Sequence, residues 1–275
     1  MKSPYLIQKL PDQKINMLIY GNNGVGKTTL AATAQFHPEM KDVLFVDVEG
    51  GLLSIADNPY LPEGIMAVTL ERSEDLEELY WALARRHDHA NSSYATVNTV
   101  VFDSGTELQT LGLEDTVAKA IEKTAGTKNK REDPDDVFQE DYGKNARFLA
   151  RWLRAFRDLD VNMIITAYER YRFPPRPKSA PRDAELEPVE CLPEFSPKIG
   201  QHLRGYMDFV WWMFTKGEEG NRQRFLLTQP KGIYYAKTRG TLSERIGEVV
   251  EWKGLDDPIM SRIYDAITNG GSEHG

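Results

Sequence analysis

Residues Gly21-Asn22-Asn23-Gly24-Val25-Gly26-Lys27-Thr28 fit the pattern G-x-x-x-x-G-K-[ST] without a mismatch, and few folds have a use for it. The apolar run Ile15-Asn16-Met17-Leu18-Ile19-Tyr20 precedes the pattern, and Thr28 to Gln35 after it read as helix. Strand, glycine-rich turn and helix N-terminus in that order make a phosphate cradle. The glycines let backbone N–H groups converge on anionic oxygens, and the helix end adds partial positive charge. In such a loop Lys27 reaches the β- and γ-phosphates of a nucleoside triphosphate, and the Thr28 hydroxyl ligates Mg²⁺. ATP and Mg²⁺ are therefore the expected cofactors. The expected binding set is Gly21, Asn22, Asn23, Gly24, Val25, Gly26, Lys27, Thr28 and Thr29, with Lys27 facing solvent while the loop is empty.

The segments that follow supply a sheet for that loop. Val43-Leu44-Phe45-Val46-Asp47, Met66 to Leu70, Thr99-Val100-Val101-Phe102-Asp103 and Val161 to Ala167 read as buried strands. Between them, Leu76, Leu79, Tyr80 and Leu83 recur at helical spacing, with Ser73 as the expected N-cap, and Leu149, Trp152, Leu153 and Phe156 repeat that spacing. Strands alternating with amphipathic helices imply an α/β fold with a mostly parallel sheet flanked by helices. The last third differs. Tyr206 to Phe214, Arg224 to Gln229 and Gly232 to Lys237 read as C-terminal antiparallel strands, with Lys216 to Asn221 as a hairpin tip, before a helix near Ile259 to Ile267. The expectation is one domain over 1–275, with an N-terminal arm at 1–14 and a frayed tail at 269–275. Mobile stretches are expected at Thr124 to Asp141 and in the Pro-rich segment 170–198.

Composition narrows the partners. Forty-two acids against 34 bases give a net charge of −8, which excludes a uniformly basic nucleic-acid coat but not a local basic strip. Cys191 is the single cysteine, so no intrachain disulfide can form. The run Phe209 to Phe214 is too short to cross a membrane, and Met1 to Tyr20 lacks the apolar core of a signal peptide. A cytoplasmic protein with no membrane partner is expected.

Two carboxylates stand where the cradle needs them. Asp103 ends an apolar strand, the position of a second magnesium-linked group. Glu49 follows the strand ending at Asp47 and precedes Gly50-Gly51, placing it to orient a water, with Asp47 as its local competitor.

The nucleotide-binding motif, Phe45-Val46-Asp47-Val48-Glu49, and Val100-Val101-Phe102-Asp103-Ser104 together resemble the RecA/RadA ATPase core. With Glu49-Gly50-Gly51-Leu52, Tyr142-Gly143-Lys144, Ile164-Ile165-Thr166-Ala167-Tyr168-Glu169 and Tyr235-Ala236-Lys237-x-Arg239, the ensemble is similar to compact phage proteins of single-strand annealing or recombination type. The resemblance spans roughly residues 14 to 250. It implies a RecA-like P-loop fold, ATP hydrolysis with Lys27, Glu49 and Asp103 as catalytic residues, and assembly with copies of itself into a ring or filament. It also implies that Lys237 and Arg239, spaced base-x-base at a strand end, act as fingers in a neighbour's ATP site. The RecA pattern ends its fifth strand in glutamine. Here that place reads Thr166-Ala167-Tyr168-Glu169, with Tyr168 or Glu169 as stand-ins.

RecA-like proteins place a DNA-facing loop after that strand. Arg170 to Arg182 has five bases, the aromatics Tyr171 and Phe173, and no acid. Arg170, Arg172, Arg176, Lys178 and Arg182 would neutralise phosphates, while Tyr171 and Phe173 would stack on unpaired bases. Lys128, Lys130 and Arg131 form a weaker patch among acids. His87, His89, Trp211, Trp212 and Cys191 read as structural. The function expected is a DNA-stimulated ATPase that binds single-stranded DNA, with a single-strand-binding protein or a helicase as further partners. The alternatives are a helicase-loader or motor-accessory ATPase acting on a protein, a small-molecule phosphotransferase, which the water-orienting Glu49 disfavours, and a DNA-binding module using ATP only as an assembly switch.

Overall fold

The computed structural model describes residues 14–268, apart from 57, 89–91, 129, 177–184, 219–220, 241 and 255. The expected arm up to residue 13, the tail at 269–275, His89, Lys178 and Arg182 lie outside the described residues. In chain order the elements are β1 (Asn16–Tyr20), α1 (Lys27–Ala32) running into a 3-10 turn, β2 (Val43–Asp47), α2 (Leu53–Ala56), β3 (Met66–Thr69) and α3 (Asp75–Ala84). Next come β4 (Thr99–Asp103), α4 (Gly105–Thr124), α5 (Gln139–Arg157), β5 (Asn162–Ala167), β6 (Glu169–Arg172), β7 (Glu190–Pro193) and α6 (Pro197–Tyr206). The chain closes with β8 (Phe209–Lys216), β9 (Gln223–Leu227), β10 (Lys237–Thr238), α7 (Leu242–Ile246), β11 (Val249–Trp252) and α8 (Ile259–Thr268).

Among the described residues one nine-stranded sheet runs β11-β9-β8-β1-β5-β4-β2-β3, with β10 pairing β8. The six strands from β3 to β8 are parallel. Beyond them β9, β10 and β11 join antiparallel. This is the expected mostly parallel α/β architecture with antiparallel late strands. β1, β2, β4 and β5 are buried at every position, because helices cover both faces and leave no solvated side to alternate with. One face packs under α3 and α5, where Leu79, Leu83, Leu149, Trp152 and Phe156 join Val100, Phe102 and Ile165. The other face carries α1 and α8, with Leu30, Ile259 and Ile263 against Phe45, Ile164 and Trp211.

Several local expectations shift. α3 starts at Asp75, not after a Ser73 cap; the Asp75 carboxylate accepts the Glu71 and Arg72 amides, while the Ser73 amide donates to Asp115. The segment after Tyr168 is not a plain loop, since β6 and β7 pair antiparallel across it and α6 begins at Pro197. Tyr206 ends α6, so the next strand starts at Phe209. Of Gly232 to Lys237 only Lys237 lies in a strand. Within Thr124 to Asp141, Arg131 and Asp141 form an ion pair at 2.8 Å with side chains only 7% and 0% exposed, which ties that stretch to α5.

Candidate active site

Parallel strands end on one edge of a sheet, and the crevice beyond their carboxyl ends is where such folds bind ligands. Here β1 leads into the glycine-rich loop, β5 into Tyr168, β4 ends at Asp103 and β2 leads through Asp47 to Glu49. These strands are neighbours in the order β1-β5-β4-β2, so their tips converge. The loop needs glycine twice for separate reasons. Gly26 has φ 103°, a left-handed conformation, as it turns into α1. Gly21 lies against β8, where a Cβ would collide with the Met213 carbonyl oxygen.

Lys27 is 8% exposed, contrary to the expected solvent-facing side chain. Its ammonium donates to the carbonyls of Gly21 (3.1 Å) and Asn22 (2.9 Å) and sits 5.2 Å from the Tyr168 ring centroid. Burial pulls its pKa below the usual lysine value, and the carboxylates of Asp103 and Glu49 oppose that fall. Thr28 Oγ1 donates to Asp103 Oδ2 at 2.7 Å, and Thr166 Oγ1 donates to Asp103 Oδ1. Asp103 is 4% exposed. Burial raises its pKa, the two threonine hydroxyls lower it, and nearby Glu49 adds to the rise. Ser104 caps α4 by accepting the Glu107 amide at 3.3 Å.

The two carboxylates at the end of β2 and just beyond it divide cleanly. Asp47 is buried and its Oδ1 accepts the Gly50 amide at 2.8 Å, so it builds the turn. Glu49 is exposed on that turn and receives the Tyr168 phenol on Oε1. Lys27, Thr28, Asp103 and Glu49 thus gather at one place, with Tyr168 between Lys27 and Glu49. The donor set suits ATP and Mg²⁺. Among the described residues the buried ammonium is hydrogen-bonded only to loop carbonyls, and a hydroxyl–carboxylate pair offers hard oxygen ligands. Thr166 and Arg224 are further site residues. Arg224 Nε donates to the Val25 carbonyl at 3.1 Å and its guanidinium lies 5.4 Å from the Trp252 ring, so the late strands back the loop.

Lys237 and Arg239 are at the opposite edge. Lys237 pairs with Val210 in register, and the Arg239 amide donates to Asp208, level with the start of β1. Lys237 Nζ donates to the Arg204 (2.7 Å) and Met207 (2.8 Å) carbonyls, and Arg239 pairs with Asp208 at 2.7 Å. Both cations serve the C-terminal end of α6 of their own chain.

Of the expected DNA set, Arg170, Tyr171 and Arg172 lie on β6. Arg172 pairs with Glu190 across the hairpin at 2.9 Å, and Tyr171 donates to Glu169 at 3.2 Å. Phe173 is 51% exposed. Arg170 is exposed and lines a cavity of about 430 Å³ with Gln109, Tyr142, Phe195 and Lys198. In the weaker patch, Arg131 is committed to Asp141 and Lys130 to Glu132. Trp211 is fully buried and Trp212 half-buried, stacked on Tyr234 and Phe214. Cys191 is buried in β7, and burial pushes its thiol up to about 12. No described helix is long and apolar enough to cross a membrane.

Comparison with solved structures finds a KaiC-like protein from the hyperthermophilic archaeon Pyrococcus horikoshii OT3 at 14% identity, covering 87% of this chain and 86% of that one, with a TM-score of 0.40. The flagellar accessory protein FlaH from Methanocaldococcus jannaschii is similar at 12% identity, covering 87% and 92%, with a TM-score of 0.38. Comparison with curated proteins finds no match. Residues 13–240 match the AAA domain, a span that holds the glycine-rich loop, Glu49, Asp103 and Tyr168. The chain belongs to the AAA domain family.

Proposed function

We propose that this protein is a Mg²⁺-dependent ATPase that binds single-stranded DNA beside its nucleotide site. In this reading it works as a homo-oligomer in phage recombination, annealing or replication within the host cytoplasm. The convergence of Lys27, Thr28, Asp103 and Glu49 on the carboxyl edge carries the ATPase reading. Thr28 and Asp103 would hold Mg²⁺, and Lys27 would meet the phosphates. The bound ion supplies neutralising charge at the transferring phosphoryl group. Glu49, exposed at the mouth, orients a water and takes its proton.

The DNA reading rests on Arg170 and its neighbours. Among the described residues, neither Arg170 nor Lys198 is in an ion pair, and both line the cavity that opens directly after Tyr168. Tyr142, 46% exposed, gives that cavity an aromatic wall. Cations for phosphates beside an aromatic for bases is the pattern of sequence-tolerant single-strand binding. The oligomer, and a single-strand-binding protein or helicase as partner, rest on the RecA/RadA-core resemblance.

The test measures ATP turnover, single-strand affinity against salt, and annealing of complementary strands. Replacing Arg170, Arg176 and Lys198 with Ala should weaken binding and flatten the log–log salt slope by about 0.7 per lost phosphate contact. An unchanged slope rejects this interface. Weak DNA binding with turnover stimulated by a helicase would replace the DNA reading by the loader one.

A further inference from the structure

Tyr168 joins parts of the site that the hydrolysis reading leaves separate. Its phenol donates to Glu49 Oε1, and its ring lies 5.2 Å from the Lys27 ammonium. Its backbone looks the other way. The Tyr168 amide donates to Thr106 Oγ1 at 3.1 Å, and its carbonyl accepts the Glu194 amide at 2.8 Å. Thr106 Oγ1 also reaches the Glu194 carbonyl at 3.3 Å, which closes a small knot between α4 and the end of β7. The next residue, Glu169, opens β6 and accepts Trp212 Nε1 at 2.7 Å. One residue therefore touches the phosphate-binding lysine, the exposed carboxylate and the root of the β6–β7 hairpin.

The chemistry of this contact is directional. A phenol donor and a carboxylate acceptor hold Glu49 by one oxygen and leave Oε2 without a donor among the described residues. Burial and the neighbouring Glu49 carboxylate raise the phenol's pKa well above its ordinary value, so the donor keeps its proton at neutral pH. Glu49 itself is exposed and sits on a glycine turn, so little else fixes its side chain. A water-orienting carboxylate loses much of its effect when displaced by about 1 Å. The tyrosine side chain is rigid beyond two torsions, so a shift of its backbone moves the phenol with it.

We infer that Tyr168 is a positioning residue: its phenol sets the Glu49 carboxylate for water, and its backbone makes that setting answer to the β6–β7 hairpin. The hairpin carries Arg170 and Arg172, so a ligand that moves it changes the placement of Glu49 through one residue. This rests on the reading of Glu49 as the water-orienting group. It adds the residue that holds that group and the route by which the hairpin reaches it.

Tyr168→Phe removes the hydroxyl and keeps the ring over Lys27. It should lower kcat about tenfold with KM for ATP within twofold of wild type and an unchanged melting temperature. Glu49→Gln with Tyr168→Phe should turn over no more slowly than Glu49→Gln alone, because the phenol acts through the carboxylate. Amides of 169–172 and 190–193 should change hydrogen-exchange rate when a non-hydrolysable ATP analogue binds wild type. That change should be lost in Tyr168→Phe and in Thr106→Val, which cuts the backbone knot and keeps the phenol. Wild-type kcat in Tyr168→Phe, or a multiplied loss in the double variant, overturns the positioning role. An unaltered hairpin response in both single variants overturns the link. Wild-type turnover in Glu49→Gln is a different result, since it removes the Glu49 reading itself.

Discussion

Thr28 and Asp103 lie 75 positions apart in sequence, yet Thr28 Oγ1 donates to Asp103 Oδ2 at 2.7 Å, and Thr166 holds the other carboxylate oxygen. Two hydroxyls partly offset the burial of that charge. Burial still wins, and the folded chain binds a proton at Asp103 more readily than the unfolded one does. The cost of the ionised carboxylate is fully present above the folded pKa and is relieved as pH falls through it. Asp103→Asn should therefore raise the metal-free melting temperature at pH 7, by about 2–4 °C if the relief is about 1 kcal/mol. The gain should shrink in mild acid, and Mg²⁺-dependent stabilisation by ATP should vanish. Melts at two pH values, with and without Mg²⁺ and ATP, decide it. A lower melting temperature at pH 7 would mean that the hydroxyl bonds outweigh burial.

Lys27→Ala removes the buried ammonium together with its desolvation cost, and leaves the Gly21 and Asn22 carbonyls without that donor. The fold should survive with little change in melting temperature. Turnover should fall by about 10²–10³, the scale of losing one preorganised charge in a phosphoryl site. ATPase rate and circular dichroism on the same sample separate lost chemistry from lost structure.

Arg131 and Asp141 test the segment before α5. Burial disfavours the ionised carboxylate, but the Phe138 amide and the Arg131 guanidinium together hold its pKa below the usual range. A depressed carboxylate pKa gives stability that is present above the unfolded value and is lost as pH falls through the folded one. Asp141→Asn leaves Arg131 buried without its counter-charge. It should cost about 3 kcal/mol at pH 7 and progressively less in strong acid. Urea unfolding across pH measures this, and a flat difference between wild type and variant contradicts it.

The strands were legible because burial on both faces leaves a continuous apolar run, and β2 and β4 match their sequence bounds residue for residue. α4 was not, since small residues form much of its buried face: Gly105, Thr106 and Gly112 are buried, with Gly105 close to Ile165 and Phe195 and Gly112 close to Asn145. Prolines masked the β6–β7 pairing, in which the one proline, Pro193, stands as the last residue of its strand. At the site, Lys27, Thr28, Glu49 and Asp103 were readable because each is fixed by short-range spacing to a strand end. Arg224 reaches Val25 across 199 positions and carries no local signal. Thr166 showed itself only as a hydroxyl inside an apolar strand.

Lys237 and Arg239 separate a structural role from an assembly role. In the single chain Lys237 is half-buried and bonded to two carbonyls at the end of α6, where a cation also meets the negative end of the helix dipole. Arg239 is 59% exposed in its side chain, so its pair with Asp208 is screened and contributes about 0–1 kcal/mol. If both bases serve only their own chain, Lys237→Met should cost about 1–3 kcal/mol by orphaning two acceptors. Arg239→Ala should then change neither stability nor turnover. If they reach a neighbour's phosphates, Arg239→Ala should instead lower turnover of the assembled protein by about 10³ without weakening ATP binding. Mixing Lys27→Ala subunits with Arg239→Ala subunits decides between the two. Sites that combine an intact loop with an intact neighbouring finger should regain activity in mixed oligomers. No recovery in oligomers shown to be mixed leaves both bases as the cap of α6.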